Sequence, residues 1–486
     1  MANPEHVKLL GTAQWPQWRS ANPRIIPDLV GADLAGRDLS GVDLSKAVLL
    51  NVNLQGANLR GANLAVAQLD AANLGGAVLD EADLSGVHLD MLDLRGASFR
   101  RARLTNATVR GTDLSGCDLT EADLSQVNLD GAALDRAVLD GATLKGCSLR
   151  GARVAGASFR GTNLDGAVLE AVNLNGDDLT GASMNGTLAA RAQLVKAVLR
   201  ETRIVAANFR EANMMGADLR EVECSETSFV HATLAGASLE SSRFVGCDMQ
   251  AVDLREAVLT STSLDGVQLA GSRLEGFDVR ALRVARVGLA KANLTGAVLS
   301  GHDMRGWHLE QARLEGADLR EANLEGAGLD GAWLTGAQVR GARMRQASLA
   351  GAVMADADVS GCDLMMAKLA GADFTRADVR FTKFVGADCT KVRFSWSDLR
   401  GSDFTRAALG GSTFWGAQLR HSKLPGAALH WRLVQIATAL FLSARRKREE
   451  RLKREQQRRI RETVKLVRDI ESKDPRLRRQ VRNGGR

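Results

Sequence analysis

Large apolar side chains recur at every fifth position of this chain, from Leu29 to Leu429. Of these eighty-one positions all but Ala189, Cys224 and Cys389 hold Leu, Val, Ile, Met or Phe, with no insertion or deletion breaking the phase. A period of five fits neither the 3.6 of a helix nor the 2 of a strand. Two residues before each large position runs a second series dominated by alanine, as at Ala57, Ala62, Ala67, Ala72, Ala77 and Ala82. One large and one small side chain per five can both point inward only if the chain turns a corner in every repeat. The remaining positions are Gly, Asp, Asn, Arg, Ser and Glu, which suit exposed turns. The pattern therefore predicts an all-β solenoid, stabilised by contacts between successive coils rather than by one isotropic core.

The stretches "GADLREANLEGAGL", "GANLRGANL" and "EADLSGVHL" resemble the A(D/N)Lxx motif of the pentapeptide-repeat family. The resemblance covers residues 28–430 and implies a right-handed quadrilateral β-helix with four pentapeptides per coil. Eighty-one repeats then give about 20 coils. At ~4.8 Å per coil the rod is on the order of 95 Å long. Phe374, Phe394 and Phe414 fall twenty apart and share one face, while Phe384 and Phe404 share the opposite one.

Both ends of such a rod need covering. Residues 1–27 form a short helical N-terminal cap, in which Trp15 and Trp18 lie on one helix face and match the W-x-x-W-R lead-in found ahead of many bacterial repeats of this type. After the repeats, a long α-helix is expected from about Ala428 to Ser472, stopped by Pro475. Residues 431–444 carry Leu433, Ile436, Leu440 and Phe441 and form a C-terminal capping segment. Residues 445–486 form a basic helical tail with a disordered end. Trp396 and Trp415, outward on neighbouring coils, offer docking surface.

Charge sharpens the division between rod and tail. The net +7 combines 19 basic and 7 acidic residues in 431–486 with a mildly acidic remainder. Arg445, Arg446, Lys447, Arg448, Arg451, Lys453, Arg454, Arg458 and Arg459 make the tail a candidate for binding a protein, a nucleic acid or an anionic membrane surface. On the rod, eleven of the twenty multiples of 20 from 40 to 420 are arginine, which predicts a basic edge, with nearby Asp and Glu able to neutralise it. Some quinolone-resistance members of the resembled family imitate duplex DNA and bind gyrase, which wants a strongly acidic surface. The 42 basic and 49 acidic groups of residues 28–430 do not supply one.

One segment is irregular. The small inward series holds Phe277, Leu282, His302 and Trp307 within residues 277–307, so these coils should be distorted, with His302 and Trp307 displayed as a possible docking site. All six cysteines fall on the inward series and read as apolar filler. The seven histidines show no metal-binding spacing, and no phosphate-cradling glycine loop is present. The expectation is a bacterial, cytoplasmic, non-enzymatic scaffold without cofactor or metal, meeting an unidentified protein partner. A nucleic-acid-associated protein is the alternative and a topoisomerase-binding DNA mimic the third reading. No secretory leader is visible, and the apolar run Leu433–Ala444 is too short to span a bilayer.

Overall fold

The computed structural model describes residues 2–279, 283–285, 287–425 and 455–457. Two short helices precede the repeats, α1 (Pro4–Leu9) and α2 (Trp15–Ala21). The Asn3 side chain accepts the Glu5 amide and starts α1, while proline in the first turn suits both helices. Trp15 is fully buried and its indole donates to the Asp43 carbonyl at 3.0 Å. Trp18 stacks on it at 5.1 Å, and Arg19 reaches the Asp43 carboxylate at 3.1 Å.

From Asp28 onward the backbone pairs with itself twenty residues later, always in parallel, as in Asp33↔Asn53 and Asn323↔Arg343. One repeat shows how. Leu324 donates to Arg343 O at 2.7 Å, Arg343 donates back to Ala322 O at 2.9 Å, and Ala327 closes the turn onto Leu324 O at 3.0 Å. The Asp or Asn of the motif accepts the amide two residues on, as Asp123 does from Ser125 at 3.0 Å, which explains that residue choice. The corner itself needs a positive φ, supplied by Gly326 at 67°. On one face the pairing lengthens into three-residue strands: β1 (Arg203–Val205), β2 (Glu223–Ser225), β3 (Arg243–Val245), β4 (Ser263–Asp265) and β5 (Arg283–Ala285). They form a five-stranded parallel sheet in chain order.

The two inward series build the core: Leu319, Leu324, Leu329 and Leu334, with Ala317, Ala322, Ala327 and Ala332, have no solvent exposure. Where Thr or Ser replaces Ala, the hydroxyl is paired inside the wall, as Thr162 Oγ1 donates to Leu139 O at 2.8 Å. Near the far end Phe374, Phe394 and Phe414 stack at 5.3 and 5.0 Å, and Phe384 stacks on Phe404 at 4.5 Å. The two stacks meet edge-on across the rod, Phe384 to Phe394 at 5.7 Å.

Bulky residues at the small inward position have a cost in pairing. At Leu92, among the described residues, no bridge joins Gln68 to His88 or Asn73 to Asp93, although the coils on either side are paired. At Phe277 the bridge between Val258 and Asp278 is likewise absent among the described residues, while Asp278 pairs onward with Val298. A cavity of about 420 Å³ opens there, lined by Leu254, Glu256, Leu259, Glu275 and Phe277 among others. At these two positions the larger side chain holds its coil away from the one before it, whereas beside Trp307 the bridge between Gly288 and His308 persists.

Asp177 takes the same position with a charged group. Its carboxyl is 2 % exposed, accepts the Gly156 amide at 3.0 Å through Oδ1, and leaves Oδ2 without a partner. Burial pushes its pKa up to about 7. An acid whose folded pKa lies above its unfolded value favours the fold when protonated. Stability should therefore be highest below pH ~4 and decline up to about pH 7, by at most about 1.4 kcal/mol per unit. We expect Asp177→Asn to remove that decline, read as the difference in thermal midpoint between pH 5 and pH 8. An unchanged pH dependence would show that Asp177 is already ionised in the fold.

Candidate interaction surface

The arginine column runs along one edge of the rod, but it is largely matched by carboxylates. Of its ten described members, eight lie within ion-pair distance of Asp or Glu. Arg220, Arg320, Arg380 and Arg400 pair with the aspartate two residues earlier, at 2.5, 2.8, 2.5 and 2.6 Å. Arg100, Arg160 and Arg200 instead reach the aspartate eighteen residues later, on the next coil, at 3.0 to 3.2 Å. Arg60 pairs with Glu81 at 2.7 Å. The hydrogen bonds from Arg320 hold the Asp318 carboxyl down at about 2. Exposed pairs of this kind contribute little to stability, on the order of 0–1 kcal/mol each. Their main consequence is that the edge offers alternating charge rather than a free positive ladder. Arg340 and Arg420 have no ion pair among the described residues.

Aromatic exposure concentrates near the far end. Trp396 and Trp415 meet through a backbone hydrogen bond, Trp396 N to Trp415 O at 2.7 Å, and both indoles are solvent-exposed. Phe381, 67 % exposed, donates its amide to Arg400 O at 3.0 Å on the adjoining edge. Phe381 and Trp396 stand at corners with φ of 57° and 63°. A large side chain there costs on the order of 1–2 kcal/mol relative to glycine. Each lies over a glycine of the next coil, Gly401 and Gly416, where an added Cβ would collide with the ring. Met91 over Gly111 and Met366 over Gly386 repeat the arrangement. The sequence reading missed Phe381 and Met366. The signal available was a large apolar residue at a corner with glycine twenty positions on.

The 277–307 segment differs from its expected form in one respect. Trp307 is not displayed: it turns into the core and is 5 % exposed, because the repeat phase directs that position inward whatever its size. His302 is half-buried, its ring 5.8 Å from the Trp307 ring, and burial lowers its pKa. Trp15 and Trp18 lie against the first coils as described above. The tail candidates Arg445, Arg446, Lys447, Arg448, Arg451, Lys453, Arg454, Arg458 and Arg459 lie outside the described residues. So do the apolar quartet Leu433, Ile436, Leu440 and Phe441, together with Leu282. Residues 455–457 alone in that region are described, and they are helical.

Among the described residues, no three His, Cys, Asp or Glu side chains are grouped to hold a metal. No helix among them is long and apolar enough to cross a membrane.

Comparison with known proteins agrees with the geometry. The family described as Pentapeptide repeats matches thirteen segments, most of them overlapping, from residues 28–64 to 362–401, well over half of the chain. The chain belongs to the pentapeptide repeat family, whose members form right-handed quadrilateral β-helices. Among solved structures it is similar to HetL, a pentapeptide repeat protein involved in heterocyst differentiation regulation from the cyanobacterium Nostoc sp. strain PCC 7120. Identity is 27%, covering 54% of this chain and 91% of that one, with a TM-score of 0.30. A trypsin-treated form of QnrB1, a plasmid-mediated fluoroquinolone resistance protein, matches at 21% identity over 36% of this chain and 90% of its own, with a TM-score of 0.34. Rfr23 from the cyanobacterium Cyanothece 51142 matches at 24% identity over 26% and 84%, with a TM-score of 0.18. No shared function follows from scores in this range. Among curated proteins none matches the chain.

Proposed function

We propose that the protein is a non-enzymatic scaffold, a rod of about 20 coils that meets a protein partner through its far end and is tethered by the basic segment 445–486. The observation that carries this reading is the exposure of Phe381, Trp396 and Trp415 on neighbouring coils near that end. It combines large aromatic area with two corners held in an unfavourable backbone conformation, on a stretch where Arg380, Arg393 and Arg400 are matched by carboxylates. Aromatic side chains fixed on rigid backbone are the usual energetic centre of a protein interface. In the same reading residues 1–27 and 431–444 cover the two ends of the rod.

The test is site-specific photocrosslinking in the source cell, with the crosslinker at position 396 and a control at exposed Gln55 near the opposite end of the rod. A discrete adduct from 396 that Phe381→Ala and Trp415→Ala weaken at least about tenfold is the expected outcome, the loss typical of interface aromatics. Equal labelling from both positions would remove these aromatics from consideration.

The second reading, association with nucleic acid, is favoured by the 19 basic residues of 431–486 and not by the neutralised edge. A DNA-mimic role finds little support in a surface so evenly charged.

A further inference from the structure

Two of the six cysteines differ from the rest. Cys117, Cys147 and Cys362 occupy the small inward position, and each donates its S–H to the carbonyl of the residue twenty-three earlier. These are Leu94, Leu124 and Val339, at 3.0, 2.8 and 2.9 Å. Cys247 occupies the same position, but the residue twenty-three earlier is Cys224, which holds a large inward position. The two sulfurs lie 3.6 Å apart on neighbouring coils, and both are free thiols.

The surroundings leave room for them to come closer. Cys224 lies in the parallel sheet between Ile204 of β1 and Phe244 of β3, in a slot that nearly every other repeat fills with a larger apolar side chain, most often leucine. A cysteine there is underpacked, so closing the sulfurs to the ~2.05 Å of a disulfide displaces little. Cys224 also contributes to the wall of a surface recess of about 120 Å³, together with Arg203, Glu223 and Arg243.

We propose that Cys224 and Cys247 are an oxidisable pair that hydrogen peroxide converts to a disulfide joining two adjacent coils. One sulfur attacks a peroxide oxygen, the O–O bond breaks, and the leaving hydroxide takes up the thiol proton as water. The other sulfur then attacks the resulting sulfenic acid, the S–O bond breaks, and its own thiol proton completes the second water. Two thiols and one peroxide give one disulfide and two waters, with sulfur oxidised and peroxide reduced. Burial raises the Cys224 thiol. Burial pushes Cys117, Cys147, Cys362 and Cys389 up to about 12, and no other pair of cysteines lies within hydrogen-bonding distance among the described residues.

The test treats the full chain with hydrogen peroxide, then denatures and alkylates it. Six thiols before treatment should become four, with a mass lower by about 2 Da and a single linked peptide pair containing 224 and 247. Cys117→Ala should still lose two thiols. Cys224→Leu, which restores the usual repeat residue and so keeps the fold, should lose none. The oxidised wild type should melt higher than the reduced protein, and Cys224→Leu should show no such rise. Six thiols after treatment, oxygen added to either sulfur without a crosslink, or the same loss in Cys224→Leu would each overturn the proposal.

Discussion

Leu324→Asp should lower the stability of the rod by several kcal/mol and shift its melting far below that of the wild type. Leu324 has no solvent exposure and lies between coils that depend on it for packing. A carboxylate placed there loses its hydration without gaining a partner, at a cost of at least about 3 kcal/mol. Protonation of the new group would reduce the penalty, so the loss should be smaller at pH 4 than at pH 8. Arg320→Asp, four residues away and more than half exposed, breaks only the 2.8 Å pair with Asp318 and should change stability by less than about 1 kcal/mol. Comparable melting curves for the two variants would mean that inward and outward positions have been misassigned.

Truncation should separate two roles within the last sixty residues. Large inward positions are fully enclosed through most of the rod, yet Leu419 and Leu424 are only half-buried where the described repeats end. The chain stopped after Leu429 should therefore self-associate end to end, because its last coil presents unpaired backbone groups and apolar side chains. Stopped after Ser443, it retains Leu433, Ile436, Leu440 and Phe441 and should sediment as the full chain does. That same variant should lose any salt-sensitive binding to duplex DNA, since nine basic and three acidic residues lie between 445 and 459. Two truncations with identical sedimentation would rule out the capping role of 431–444, and retained DNA binding would rule out the tail as its source.

The repeat, its inward phase and the twenty-residue coil were legible in the sequence because periodicity records burial directly. The phase even outranked size: it assigned Trp307 to the inward series, and inward is where the ring lies. Reading that bulky residue as displayed weighed its size above its position. What the one-dimensional pattern concealed depends on the next coil. Arg100, Arg160 and Arg200 find carboxylates eighteen residues later, Phe381 and Trp396 rest on glycines twenty later, and Cys247 meets Cys224 across twenty-three. Each is a relation between positions about one coil apart. It becomes visible only when the chain is written in rows of twenty. The breaks beside Leu92 and Phe277 were legible as odd residues but not as lost hydrogen bonds, since the sequence does not say whether a coil yields by moving its side chain or its backbone.

Those two breaks bear on how the rod carries load. In a stack held by contacts between neighbours, the resistance to stretching along the axis is set by the weakest junction rather than by the average one. Around most of the rod a junction consists of backbone hydrogen bonds on every face, and force would be shared among them. Beside Leu92 and Phe277 part of one face is already parted, so tension would fall on the remaining bonds and peel them in turn. Under pull from its two ends, the protein should yield in steps that start at these seams, leaving the phenylalanine-filled end as the last intact block.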